Sequence, residues 1–295
     1  SIGTDSLGFI YISGFFNGDA DFGPFNLTAS YSTNKNIFVA KMDSSGNFLW
    51  AVAGTGGPYD DRALGMHVTP GGDVFVTGTF WYYVEFPSSI GPVSNPSFNG
   101  ADNSMLTKID KDGNCVFAIS LIESNNGNSG GCSWPIYSSD DHSYDVKVDN
   151  AGFIYVTGFF SGDVAIFDGI SLNNPNWGSN CQPAGYIGKL DPNGNWLWVD
   201  IFDGIKDQRG SRDNRLAIDQ FSNIYLCGGF ENTGTYGPYS ITSNGEWDAF
   251  IFKMDKDGNW LWAEGFGSNK TDRANSIAID VCDDIYITGE YRNPM

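Results

Sequence analysis

The chain is 295 residues long, 41% hydrophobic, 15% aromatic and 17% charged, enough apolar material to bury substantial cores. Its 35 acidic and 16 basic residues give a formal charge of −19, which argues against a nucleic-acid backbone or an anionic membrane surface as partner, because phosphate binding needs clustered Lys and Arg. No apolar run approaches the roughly 20 residues that a spanning helix requires, so no membrane insertion is expected.

In chain order, residues 1–5 align with 145–149 and read as a strand, called a. Strand b follows as Phe9-Ile10-Tyr11-Ile12-Ser13-Gly14, an apolar run closed by Gly. After an excursion over 17–36, strand c leads into Lys41-Met42-Asp43-Ser44-Ser45-Gly46-Asn47-Phe48-Leu49-Trp50, and strand d leaves it. Asp can accept a backbone hydrogen bond at the first turn position and Gly supplies the positive φ of a short hairpin, so this stretch specifies a tight turn between antiparallel strands.

The order then repeats. The second copy has Met66-His67-Val68 as a, Val74-Phe75-Val76-Thr77-Gly78 as b, and the turn Lys108-Ile109-Asp110-Lys111-Asp112-Gly113-Asn114-Cys115-Val116-Phe117. The third has Val146-Lys147-Val148, Ile154-Tyr155-Val156-Thr157-Gly158 and Lys189-Leu190-Asp191-Pro192-Asn193-Gly194-Asn195-Trp196-Leu197-Trp198. The fourth has Leu216-Ala217-Ile218, Ile224-Tyr225-Leu226-Cys227-Gly228 and Lys253-Met254-Asp255-Lys256-Asp257-Gly258-Asn259-Trp260-Leu261-Trp262. A fifth a and b, Ile277-Ala278-Ile279 and Ile285-Tyr286-Ile287-Thr288-Gly289, close the sequence.

The turns start at 41, 108, 189 and 253, giving periods of 67, 81 and 64 residues. Helical repeats need a 3.6-residue pattern that is absent, and solenoid repeats are shorter. A four-stranded antiparallel sheet repeated around an axis, an all-β propeller with about 4.5 repeats visible, fits the period. The expected organisation is one propeller domain over 1–295, or part of a larger one, with repeats near 1–60, 61–140, 141–210, 211–271 and a partial 272–295. An edge strand left at Ile285–Thr288 would expose unpaired backbone groups, so further sequence, the N-terminal region or another chain is expected to cover it.

These units resemble the bacterial β-propeller repeats often written SBBP, which read roughly Gly-x-φ-Tyr-φ-Thr-Gly-x-Phe and then Asp-x-φ-φ-φ-Lys-φ-Asp-x-x-Gly-x-φ-x-Trp. Residues 154–160 and 250–262 carry the match most closely, and it spans nearly the whole chain. The Gly-x-x-x-Trp ending is also similar to the docking motif of quinoprotein propellers and, more loosely, to the Asp-box turn of sialidases. The resemblance implies that Trp50, Trp198 and Trp262 pack between blades. It also implies a bacterial secreted or cell-surface protein, of the kind found in adhesin-like and type IX-exported chains, and it names no ligand.

Alternation along the strands places the short a–b and c–d turns on one face and the longer b–c and d–a loops on the other. The b–c excursions have their own weak repeat, Phe22-Gly23-Pro24-Phe25, Phe167-Asp168-Gly169-Ile170 and Tyr236-Gly237-Pro238-Tyr239, read as small hairpins. The second period departs, with Trp81, Tyr82 and Tyr83 as adjacent aromatics that are candidates for a binding surface. The d–a loops end in Asp61-Arg62, Asp141-His142, Ser211-Arg212 and Asp272-Arg273. Arg62, His142, Arg212 and Arg273 are thus candidates either for ligand recognition near a channel mouth or for side-chain networks that join neighbouring blades.

Of the five Cys, Cys115 and Cys227 fall in strands and Cys282 in a turn, while Cys132 and Cys181 lie in insertions of the longest period beside Trp134 and Trp177. A Cys132–Cys181 disulfide fixing an aromatic surface is one expectation; a bridge that only tidies long loops is the other. Asp110–Asn114 and Asp255–Asn259 resemble the opening of a Ca²⁺ loop but have Gly two positions too early and lack the closing Glu, so no cofactor is expected. His67 and His142 sit in no zinc spacing or nucleophile elbow, and no catalytic residue stands out. The chain therefore reads as a non-enzymatic scaffold binding a protein or glycan, with a carbohydrate-active enzyme as the alternative.

Overall fold

The structure is a computed structural model that describes residues 1–87, 91–94, 102–125, 141–175, 177, 182–204 and 214–292. The elements described are strands. The first repeat holds β1 (Ile2–Thr4), β2 (Ile10–Phe16), β3 (Asp19–Phe22), β4 (Phe25–Thr28), β5 (Asn36–Met42) and β6 (Phe48–Gly56). The second holds β7 (Arg62–Val68), β8 (Val74–Phe80), β9 (Tyr83–Glu85), β10 (Val93–Ser94), β11 (Asn103–Ile109), β12 (Cys115–Ser120) and β13 (Glu123–Asn125). The third holds β14 (His142–Val148), β15 (Ile154–Phe160), β16 (Val164–Phe167), β17 (Ile170–Asn173), β18 (Ala184–Leu190) and β19 (Trp196–Phe202). The fourth holds β20 (Arg215–Ile218), β21 (Ile224–Phe230), β22 (Thr233–Tyr236), β23 (Tyr239–Thr242), β24 (Asp248–Met254) and β25 (Trp260–Phe266), followed by β26 (Arg273–Ile279) and β27 (Ile285–Glu290).

Two compact units divide the described residues, one from 1–123 with 141–146 and one from 124, 125 and 147–292. In the first, β1-β2-β5-β6 and β7-β8-β11-β12 are antiparallel sheets in the a, b, c, d order. In the second, β20-β21-β24-β25 repeats that order, and β26 pairs with β27 alone. Strands b and c are central: all seven residues of β8, β15, β18 and β21 are buried, which is why they read as continuous apolar runs in place of a period-2 alternation. Strands d are less buried, most of their residues being half-buried or exposed.

The Gly that closes strand b has a steric reason. A methyl group on Gly78 would overlap the carbonyl oxygen of Arg62, and one on Gly289 that of Arg273, because strand a bulges over this point at Ala63/Gly65 and Ala274/Ser276. The c–d turn is built identically four times. Asp43 Oδ1 accepts the Ser45 and Asn47 amides at 2.8 and 2.9 Å, Asn47 Nδ2 donates to Oδ2 at 2.8 Å, and Gly46 sits at φ 85°. Asp110, Asp191 and Asp255 repeat these bonds, with Gly113, Gly194 and Gly258 at φ 88–91°. The two carboxylates once read as Ca²⁺-like, Asp110 and Asp255, are thus engaged by N–H donors of their own hairpins.

Two of these turns, at Asp110 and Asp255, also receive the preceding repeat. Trp50 donates its indole N–H to the Lys111 carbonyl at 3.0 Å and lies 3.1 Å from where a Cβ on Gly113 would be, and Lys41 Nζ donates to the same carbonyl at 3.1 Å. In the second unit Trp198 and Lys189 repeat this on Lys256 O and Gly258. The Lys ammonium lies over strand-b aromatics, Lys41 on Phe9 and Tyr11 at 4.4 and 5.0 Å, and Lys189 on Phe153 and Tyr155 at 4.3 and 5.2 Å. Trp50, Trp198 and Trp262 are each half-buried.

The b–c excursions form hairpins in all four repeats, including the second, where β9 pairs with β10 although the sequence motif is missing. They also do something not foreseen. The hairpin β9–β10 adds to β6, with Thr55 opposite Glu85, and β22–β23 adds to β19, with Phe202 opposite Tyr236, so a repeat's outer strand is extended by the excursion of the next.

Candidate functional site

Three connections of the first unit converge where strands β6, β7, β8 and β5 end or begin. Asp61, 1% exposed, holds them: its N–H donates to the Lys35 carbonyl at 2.8 Å and its Oδ1 accepts the Trp81 amide at 3.3 Å. The first bond recurs as Asp141 N to Asp102 O at 3.0 Å and Asp272 N to Trp247 O at 2.7 Å, so this part of the arrangement belongs to the repeat.

On that frame stand residues that do not repeat. Tyr59 stacks on Trp81 with ring centroids 4.7 Å apart and planes 23° from parallel, and Tyr82 meets Tyr83 edge-on at 5.7 Å. Tyr59 is 46% exposed and Tyr82 54%, while Trp81 and Tyr83 are half-buried. At equivalent loop positions the other repeats carry Asn17, Ser161, Glu231 and Arg292 in place of Trp81.

A charged group borders the aromatics. Asp60 Oδ2 lies 2.8 Å from Arg62 Nη2 and 3.3 Å from Lys35 Nζ, and Lys35 lies 4.9 Å over the exposed ring of Phe15. Burial works against the Asp60 charge, but its bonds from Arg62 and Lys35 outweigh that and hold it below the usual carboxylate range. Asp61 goes the other way: burial pushes it up to about 8, the Trp81 N–H offsets only part of this, and Asp102 and Asp60 add repulsion. Near neutral pH the group therefore presents two cations against the single carboxylate of Asp60, on a chain of formal charge −19.

The other candidates are used differently. His142 Nε2 lies 3.4 Å from Asp102 Oδ2 and its ring meets Tyr144 edge-on at 5.9 Å. In the second unit the Arg273 guanidinium lies 4.6 Å over the Trp247 ring. Both partners belong to the preceding repeat, a network role. Trp177 is 7% exposed, buried and not offered to solvent, which removes it from an aromatic binding surface. Arg212, Trp134, Cys132 and Cys181, and with them the disulfide, lie outside the described residues. Cys115 and Cys227 are buried in strands, and Cys282 is an exposed thiol. Among the described residues no group of three or more His, Cys, Asp or Glu could hold a metal ion. Sequence reasoning missed Tyr59, Lys35 and Asp60; the available signal was Tyr59, an aromatic where the other d–a loops have Ser139, Arg209 and Lys270.

Against known protein families the chain matches none. It is similar to the uncharacterized WD repeat-containing protein L264 of Acanthamoeba polyphaga mimivirus, 27% identical over 337 aligned positions that take in 99% of this chain and 24% of that protein. The chain thus spans about a quarter of the length of that curated relative. Among solved structures it is similar to a protein of unknown function from Bacteroides caccae, with 9% identity, a TM-score of 0.35 and coverage of 90% of this chain and 97% of the other. BamB from Moraxella catarrhalis gives 9% identity, a TM-score of 0.23 and coverage of 95% and 88%. Likenesses this distant assign neither an activity nor a partner.

Proposed function

We propose that this chain is a non-enzymatic repeat scaffold of the β-propeller kind, which binds a protein partner through the Tyr59, Trp81 and Tyr82 surface of its first unit. The observation that carries the proposal is non-repetition: the strand-borne Lys, Asp, Tyr and Trp recur and are spent within and between repeats, whereas among the described residues the stacked Tyr59–Trp81 pair occurs once, with Tyr59 exposed and Trp81 half-buried. Large, rigid aromatics beside an Arg are what binding hot spots are made of. The WD-repeat name of the mimiviral relative supports a repeat scaffold.

Trp81→Ala and Tyr82→Ala should each weaken capture of the partner from source-cell extract by at least about tenfold, the cost of losing one hot-spot aromatic. Tyr31→Ala, at an exposed aromatic outside the patch, should leave it unchanged. Equal capture by all three variants removes the surface from the proposal. A second reading, a glycan partner, is favoured by the Tyr59–Trp81 platform with carboxylate and guanidinium at its rim. Binding to a glycan array that is lost in Trp81→Ala would select it, and turnover of chromogenic glycosides would overturn the non-enzymatic part.

A further inference from the structure

The junctions between repeats share one frame and differ in what it carries. At each, the N–H of a buried Asp donates to the carbonyl of the residue that precedes strand c: Asp61 to Lys35, Asp141 to Asp102 and, in the second unit, Asp272 to Trp247. The frame thereby brings that residue beside the one that follows the Asp, which is Arg62, His142 or Arg273. Two of the three combinations are complementary, His142 Nε2 lying 3.4 Å from Asp102 Oδ2 and the Arg273 guanidinium 4.6 Å over the Trp247 ring. The first is Lys35 with Arg62, cation beside cation.

Asp60 bridges that pair and engages both of its oxygens in doing so. Its Oδ1 accepts the Lys35 amide at 3.0 Å, and its Oδ2 lies 2.8 Å from Arg62 Nη2 and 3.3 Å from Lys35 Nζ. One carboxylate between two cations leaves a positive charge in excess. Asp61 below does not cancel it, because burial pushes that carboxyl up to about 8. The Lys35 and Arg62 side chains are 30% and 32% exposed, and among the described residues Arg62 donates one hydrogen bond, from Nη2. Further N–H donors of the pair are therefore open to an incoming acceptor.

The aromatics are fixed beside these donors. Tyr59 precedes Asp60 in the chain and stacks on Trp81, and the two loops are pressed together at two glycines. A Cβ on Gly57 would lie 2.9 Å from Tyr82 Cβ, and one on Gly56 would overlap Asp61 Oδ2 and the Tyr83 carbonyl oxygen. Rings and cations so held need little ordering when a ligand arrives.

We propose that the partner bound through this surface presents an acidic peptide segment, with a carboxylate seated on Arg62 and Lys35 and a neighbouring apolar or aromatic side chain on Tyr59 and Tyr82. This rests on the protein-partner reading above and names the chemistry of the segment. The guanidinium fork matches a carboxylate in geometry as well as in charge. The net charge of −19 does not oppose it at close range, since exposed charges are screened beyond about 8 Å at physiological ionic strength. A peptide suits the surface better than an acidic sugar does. Tyr59 covers one face of Trp81 and Tyr82 stands edge-on to Tyr83, so the open rings meet at angles that separate side chains can follow and a flat pyranose cannot.

The probes are a short labelled peptide of alternating Glu and Tyr, the same peptide with Gln for Glu, and oligogalacturonate, each titrated into the full chain by fluorescence anisotropy. The Glu peptide should bind at least about tenfold more tightly than the Gln peptide, the worth of a hydrogen bond to a charged group. Arg62→Gln and Lys35→Gln should each remove most of that preference and leave the Gln peptide unchanged. Lys35→Gln keeps the backbone N–H and C=O through which residue 35 serves the fold, so it reads the charge alone. Trp81→Ala should weaken both peptides alike. Equal binding of the two peptides, lost in Trp81→Ala, overturns the acidic segment and leaves the aromatic surface standing. Peptide binding that ignores Trp81→Ala overturns the surface itself. Failure of the Glu peptide to bind, or oligogalacturonate bound in its place, also overturns the proposal, the latter in favour of an anionic glycan.

Discussion

Asp60 and Asp61 are neighbours in the chain with opposite electrostatic fates, and the cause is where their oxygens end up. Asp60 meets Arg62 and Lys35, whereas Asp61 Oδ2 is buried with no hydrogen-bond partner among the described residues. A carboxyl whose folded pKa is raised to about 8 binds more protons folded than unfolded between roughly pH 4 and 8, so its contribution is intact below the unfolded value near 3.9 and is lost as pH rises through 8. Asp61→Asn keeps an acceptor for the Trp81 amide and removes the titration. The melting temperature of the variant should therefore gain on the parent steadily from pH 5 to 8; parallel profiles would mean Asp61 does not titrate in that window. The sequence separates the two residues by recurrence, since Asp61 returns as Asp141 and Asp272, but it does not show which carboxyl is buried. Burial of the second depends on Lys35 and Trp81, which are brought in from other strands.

At the scale of elements, the strands and c–d turns were legible because their code is local: a Lys-φ-Asp-x-x-Gly-Asn stretch contains its own Asx bonds and its own positive-φ residue. The excursion hairpins were only half legible. Their internal pairing could be read in three repeats from apolar ends around a turn pair, but their attachment to the preceding repeat's β6 or β19 is non-local and leaves no periodic trace. The same distinction can be measured on turn glycines. Gly46 and Gly113 have nearly equal φ, 85° and 91°, but a Cβ on Gly46 meets nothing within 4 Å while one on Gly113 lies 3.1 Å from the Trp50 ring. Gly46→Ala should cost about 1–2 kcal/mol for the left-handed backbone alone. Gly113→Ala should cost about 1–3 kcal/mol more by pushing on the indole, read as a lower urea midpoint for the first unit. Equal losses would mean the docking contributes nothing.

For the whole molecule the surplus of acid is part of the architecture. The carboxylates Asp43, Asp191 and Asp280 are held below the usual range chiefly by hydrogen bonds from Asn47, Asn195 and the Asp284 amide respectively, and Asp110, Asp219 and Asp255 by similar bonds that outweigh burial. A depressed folded pKa contributes stability that is present above the unfolded value near 3.9 and lost as pH falls through the folded one. Stability should thus drop steeply below about pH 4 in both units, and Asp43→Asn with Asp110→Asn should flatten the acid limb of the first unit only. An unchanged limb would place the acid-sensitive groups elsewhere. Fold class was open to sequence reading because these carboxylates recur; the Tyr59–Trp81 surface was half hidden because its members are far apart in the chain and belong to no repeat.

The seam made by Trp50 and Lys41 on the Lys111 turn has a genetic consequence. Its two halves are encoded one repeat apart, in the same motif, so a copy that keeps the Lys, the Trp and the turn carries both a plug for its successor and a socket for its predecessor, while the second copy has Phe117 in place of the Trp. Unequal crossing-over that removes or duplicates a full period joins a plug to a socket again, whatever the loop lengths between. The periods of 67 and 64 residues already differ by three without changing the seam. A frame-preserving deletion inside a period that takes the Asp-x-x-Gly-Asn codons breaks two seams at once, the turn's own hairpin and its neighbour's anchor. Copy number in such genes is therefore free to drift, while the turn codons are not.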